Sequence, residues 1–102
     1  MGYEAAFDIL GDPTRRSIVE RLRRGPAPVV DIATGLPVSR PAVSKHLKLM
    51  KDAGLVRMRT SGTRHLYELD LDALDAVRRW LDRFWDDSLK RFKQQAERKG
   101  KR

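Results

Sequence analysis

The chain contains no cysteine. That removes disulfides, thiolate metal sites, thiol nucleophiles and cysteine redox switches, and it suits a reducing cytoplasm. Histidine occurs only as His46 and His65, far apart in the sequence. There is no nucleophile elbow, HExxH pattern or phosphate-binding glycine loop. Catalysis is therefore not expected, and neither is a cofactor. Long apolar runs are missing as well. No window approaches 18 apolar residues, so no membrane span is expected. The start, MGYEAAFDIL, lacks a basic region before an apolar run and does not read as a signal peptide. Ala6 stands where a myristoylation signal wants Ser or Thr. Internal repeats and low-complexity linkers are absent too.

What is there fits one small domain. The chain has 102 residues, so its own core is modest and a partner subunit would add burial. Hydrophobic residues at 40% against charged residues at 35% fit a soluble, helix-rich globular domain rather than disorder. The single domain is expected over residues 1–97, with 98–102 as a basic tail.

Helical spacing of Tyr3, Ala6, Phe7 and Leu10 predicts a first helix over 3–10, stopped by Gly11. Asp12 and Pro13 open a second, carrying Ile18, Val19 and Leu22 inward. Gly25-Pro26-Ala27-Pro28 breaks the pattern. Val29 to Thr34 predicts a third, short helix with Val30 and Ala33 inward and Ile32 beside them. Ser39 is a suitable N-cap for a fourth, in which Val43, Leu47 and Met50 form an apolar stripe. Alternation at Val56 to Arg59, a turn cluster Thr60-Ser61-Gly62-Thr63 and a return strand from Arg64 to Leu69 predict a hairpin. A last helix is expected from about 71 to 97. The fold class is mainly α with a small β-hairpin, in the order α-α-α-α-β-β-α. Two short helices joined by a tight turn (residues 29–53), then a hairpin (residues 55–69), describe a winged helix-turn-helix.

The net charge is +8, and it is concentrated. Residues 1–38 balance five basic against five acidic side chains, whereas residues 39–66 hold seven basic against one acidic. A surface kept basic for solubility has no reason to gather its charge, so a polyanion is the natural partner. On the fourth helix, Arg40, Ser44, Lys48 and Lys51 recur at turn spacing, with Lys45 alongside. Arg, Lys and Ser can bond base edges and phosphates, and such helices probe bases with their N-terminal part. Arg40, Ser44 and Lys45 are therefore expected nearest the bases, Lys48 and Lys51 on phosphates. His46 flanks this face as a DNA contact, a hydrogen-bonded boundary residue or a metal ligand. The wing supplies Arg57, Arg59, Ser61, Gly62, Thr63 and Arg64, suited to the minor groove or its phosphates. These arginines could equally be a charged edge strand that guards against aggregation. RNA or a protein surface remains open as the partner.

The last helix carries Leu71, Leu74, Val77, Leu81, Phe84 and Ser88, with Trp80, Trp85, Leu89 and Phe92 alongside. That is more aromatic surface than a helix on so small a domain needs. It predicts a dimer face made of Tyr3, Phe7, Leu10, Leu74, Val77, Trp80, Leu81, Phe84 and Trp85. An intrachain core and a membrane interface are the alternatives.

The stretches ILGDPTRRSIVERL, IATGLPVSRPAVSKHLKLMKDAGLV and RTSGTRHLYELD together resemble the ArsR/SmtB family of bacterial transcriptional repressors. The resemblance covers roughly residues 3–92. It implies a winged-helix homodimer that binds double-stranded operator DNA in the cytoplasm and represses a promoter. It also implies that the first and last helices form the dimer face, and that Ser39 begins and His46 belongs to the DNA-reading helix. Metal-sensing members use Cys, or His and carboxylates on the last helix. This chain has no Cys, and residues 71–97 hold no His, so the metal-sensing part does not carry over. A sensor with oxygen and nitrogen ligands stays open, and the residues name no inducer.

Overall fold

A computed structural model describes residues 4–100. Tyr3, assigned to the dimer face, and the end of the basic tail lie outside them. The elements are α1 (Glu4–Leu10), α2 (Pro13–Leu22), α3 (Val29–Thr34), α4 (Arg40–Asp52), β1 (Val56–Ser61), β2 (Arg64–Leu69) and α5 (Leu71–Gly100). The chain is mainly helical with one antiparallel hairpin, in the expected order.

The DPTRR segment works on the backbone at two helix ends. The Asp12 carboxylate accepts the backbone N–H of Arg15 at 3.0 Å, and Pro13 takes the first turn, where no N–H is needed. The Arg15 guanidinium donates to the carbonyl of Ile9 and that of Arg16 to the carbonyl of Leu10, satisfying the open end of α1. Arg15 and Arg16 therefore tie α2 to α1, and Asp12 caps the helix that carries them. The hydrogen bond from Arg15 holds its carboxyl below the usual aspartate range, helped by the charges of Arg15 and His46. A depressed pKa means that the unfolded chain binds the extra proton. The stabilisation is thus complete above pH 3.8 and is lost as the pH falls through the folded value. Asp12→Ala is expected to lower the melting temperature at neutral pH and to flatten its acid dependence. Thermal melts followed by circular dichroism at pH 7 and pH 3 measure both.

The core joins all elements. Ile18, Ile32, Val43, Leu47, Met50 and Leu55 are fully buried, with Leu22, Ala27 and Val56 beside them. On α3 the expected inward set shifts. Ile32 is the buried anchor, Val29 and Ala33 are half-buried, and Val30 faces solvent at 44% exposure. A six-residue helix has fewer than two turns, so one residue of rotation changes which side chain is inward.

α4 ends in a Schellman motif. Gly54 N–H donates to the Lys51 carbonyl and Leu55 N–H to the Met50 carbonyl. Gly54 has φ +81°, which glycine adopts without strain, and the turn drops Leu55 into the core. The hairpin then pairs Val56 with Leu69 through Ser61 with Arg64. Its loop is two residues, Gly62 and Thr63, not the four of the turn cluster; Thr60 and Ser61 belong to β1. Gly62 takes φ +64° and Thr63 stays negative, the pattern of a type II′ turn.

The break at Gly25 to Pro28 conceals a further pairing. Ala27 forms a one-residue antiparallel bridge with Tyr67, through bonds of 3.0 and 2.9 Å. With Asp70 N–H on the Leu55 carbonyl, this fixes the wing to the helical body. α5 continues to Gly100 instead of ending near 97.

Candidate nucleic-acid interface

The rotation of α4 is set by its stripe. Val43, Leu47 and Met50 have no exposed surface, so the opposite side must face out. Ser39 starts the helix as expected, its Oγ accepting the Ala42 N–H at 3.2 Å, with Pro41 in the first turn. Arg40, Ser44, Lys48 and Lys51 then run along one exposed edge, and Lys45 stands exposed beside them. None of these four cations forms an ion pair among the described residues. A helix about 10–12 Å across matches a major groove about 12 Å wide.

His46 is placed differently from these. It is half-buried on the other flank of α4. Leu49 shares that flank, an apolar side chain left 47% exposed that the sequence did not single out.

In the wing, Arg57 and Arg59 project from the exposed side of β1. Both reach Glu68 across the hairpin, at 3.1 Å and 3.4 Å, one to each carboxylate oxygen. One carboxylate shared by two guanidinium groups leaves a net positive charge and holds both arginines in place. Register makes Glu68 the direct partner of Arg57. Ser61, Gly62, Thr63 and Arg64 form the exposed tip, and Arg64 has no ion pair among the described residues.

α1 and α5 form a second surface away from these cations. Phe7 meets Trp80 edge to face at 5.2 Å, and Trp80 stacks on Phe84 at 6.0 Å. Val77 is buried and Leu74 half-buried, while Leu81, Phe84 and Trp85 stay exposed. An intrachain core therefore does not account for the stripe.

Residues 10–59 match the family described as a helix-turn-helix domain. The HTH-type transcriptional regulator Rv2034 of Mycobacterium tuberculosis is 50% identical over 97 residues, 95% of this chain and 91% of that one. The arsenical resistance operon repressor of Staphylococcus xylosus is 34% identical, covering 72% of this chain and 71% of its own. Among solved structures, an ArsR-like transcriptional regulator from Rhodococcus sp. RHA1 superposes with TM-score 0.75 at 36% identity, covering 93% of this chain and 90% of that one. The homodimeric winged helix-turn-helix DNA-binding domain Mb0332 of Mycobacterium bovis gives TM-score 0.64 at 28% identity, covering 81% and 76%.

The chain belongs to the ArsR family of helix-turn-helix transcriptional regulators. The helix-turn-helix match of this ArsR-family chain ends at Arg59, but its likeness to Rv2034 spans 95% of it and so takes in the wing and most of α5. Among its described residues, no three His, Cys, Asp or Glu side chains gather into a group that could hold a metal. No helix among them is long and apolar enough to cross a membrane.

Proposed function

We propose that the chain is a homodimeric repressor that binds a pseudo-palindromic operator in double-stranded DNA, in the cytoplasm, without catalysis. The observation that carries this reading is the edge of α4. Its stripe is fully buried, and the cations opposite are exposed and uncompensated. Arg40, Ser44 and Lys45 read base edges, while Lys48 and Lys51 hold phosphates. Arg64 and the wing tip Ser61-Gly62-Thr63 reach the neighbouring minor groove, with Arg57 and Arg59 behind them. Ser39 caps the helix close to the phosphates, and His46 borders the site from the α2 side. Residues 29–53 and 55–69 are the DNA-binding part. Residues 3–10 and 71–97 form the dimer face, which the named homodimeric state of Mb0332 supports. The naming of the Staphylococcus xylosus relative as a repressor supports repression. Two-fold symmetry then spaces the half-sites by roughly 34 Å, one turn of DNA.

Selection of bound sequences from a random DNA pool tests the reading directly. The expected product is an inverted repeat, and an unstructured pool or a preference for RNA would overturn it. On the selected site, affinity should fall roughly a thousandfold or more between 50 and 200 mM salt if about six or more phosphates are contacted. Lys48→Ala should weaken operator and random DNA alike and reduce the salt slope by about 1. Arg40→Ala or Ser44→Ala should weaken the operator roughly tenfold while sparing random DNA. Equal losses on both probes would reassign Arg40 and Ser44 to phosphates. Fluorescence anisotropy at two salt concentrations measures all of these.

A further inference from the structure

Seven basic side chains stand in residues 39–66, and only two of them have an acidic partner. Arg40, Lys45, Lys48, Lys51 and Arg64 form no ion pair among the described residues, whereas Arg57 and Arg59 both bind Glu68. Glu68 is the single acidic residue between Asp52 and Asp70, so its place among these cations sets it apart. Its side chain is only 22% exposed, while those of Arg57 and Arg59 are 64% and 52% exposed. The carboxylate is thus largely covered, and the guanidinium groups stay open to a second anion. An ion pair with one member covered is screened less by salt than a pair wholly in solvent.

Strand register shows what Glu68 does to Arg59. Across the hairpin Glu68 stands opposite Arg57, but Arg59 stands opposite Leu66. Leu66 is nearer the tip at Gly62 and Thr63, and Glu68 lies two residues further from it. Arg59 nevertheless reaches Glu68, with Nε 3.4 Å from Oε2. Its guanidinium is therefore drawn diagonally back along the hairpin, away from the tip. Arg57 Nε donates to the other oxygen at 3.1 Å, so both oxygens of the carboxylate are engaged. The N–H groups that a guanidinium gives a carboxylate are the ones it would give a phosphate. Each Nε carries one hydrogen and cannot serve both in full.

We propose that Glu68 is an internal competitor for the DNA backbone, a positioning residue that holds Arg57 and Arg59 back and lowers the affinity of the protein for any duplex. One carboxylate against two guanidinium groups leaves a single net positive charge. Without the carboxylate the two arginines would neutralise about one phosphate more. The proposal rests on the DNA-binding reading above and adds the acidic residue that limits its strength. A regulator must leave DNA as well as find it, and random sequence far outnumbers any operator. An acid placed among the contacts weakens the sequence-independent part of binding, while the base-reading edge of α4 is left untouched.

Glu68→Gln keeps the shape of the side chain and removes its charge. E68Q should bind a random-sequence duplex about tenfold more tightly than wild type at 50 mM salt. Its salt slope should steepen by about 0.9, so the gain should shrink to about threefold at 200 mM. Glu20→Gln is the control. It changes the net charge equally, but Glu20 pairs with Arg23 on α2, neither on the wing nor on α4. E20Q should change affinity by less than about twofold. An equal gain in E20Q would reduce the effect to net charge and overturn the proposal. In an R57Q/R59Q background, E68Q should bring no gain, because the arginines it releases are gone. A full gain there would mean that Glu68 repels phosphates directly, and the competition would be overturned. Fluorescence anisotropy measures each variant, and thermal melts confirm that each is folded. If wild type bound no duplex DNA, the DNA-binding reading would fail and this inference with it. If wild type bound and Lys48→Ala weakened it, yet E68Q matched wild type, this inference alone would fail.

Discussion

Leu47→Ala is expected to destabilise the fold by about 2–5 kcal/mol, the usual range for truncating a buried leucine. Leu47 lies at the middle of α4 with no exposed surface, within the cluster that holds Ile18, Ile32, Met50 and Leu55. Removing its branched end leaves a void in this core, and a close-packed interior cannot fill it without moving a neighbour. A domain of this size has only about 5–15 kcal/mol in all, so the loss takes a large share. At fixed protein concentration the melting temperature should fall by roughly 10 °C or more. DNA binding should fail with it, because the same residue sets the rotation that turns Arg40, Ser44 and Lys48 outward. Lys48→Ala is the control: it is exposed, so its melting temperature should stay within about 1–2 °C of wild type, corresponding to about 0.5 kcal/mol or less. A normal melt for the Leu47 variant would mean that the recognition helix is not seated on this core.

The recognition helix could be read from the sequence because independent signals agree there. Ser39 caps, Pro41 fits the first turn, Val43, Leu47 and Met50 keep one period, and Gly54 stops the helix; every one of these has its counterpart in the structure. Elsewhere the local signals are fewer. α3 is too short for its period to fix which face is inward: of Val30, Ala33 and Ile32, all expected inside, Val30 faces solvent and Ile32 alone is fully buried. The Ala27 bridge was hidden because Pro26 and Pro28 mark a break, yet Ala27 keeps both its N–H and its carbonyl for Tyr67. Sharing of Glu68 by Arg57 and Arg59 depends on strand register, which a two-residue loop fixes and a four-residue turn would not. The end of α5 was placed short because Lys, Gln and Glu lack an apolar period, although each favours helix on its own.

Phe84→Ala is expected to convert the dimer to monomer while leaving the fold intact. Phe84 is 52% exposed, and its neighbours are aromatic rings of α5 rather than the buried core. Its removal therefore creates no cavity in one protomer. In a two-fold interface the same change is made twice. Truncating a central interface aromatic costs about 2 kcal/mol or more, so the paired loss of about 4 kcal/mol should raise the dimer dissociation constant roughly a thousandfold. Trp80→Ala should differ in kind. Trp80 also packs on Phe7, joining α1 to α5 within the protomer, so it should lower the melting temperature as well as the dimer fraction. The consequence for DNA follows from linkage. Two joined half-site readers bind with an effective concentration that separate ones lack, worth about a hundredfold to ten-thousandfold. The Phe84 variant should thus keep its affinity for a single half-site and lose most of its preference for the inverted repeat. Sedimentation and anisotropy on one-site and two-site duplexes measure the two effects separately. A Phe84 variant that remains dimeric would move the interface off this stripe, and a monomer that still prefers the inverted repeat would cut the link between dimerisation and operator choice.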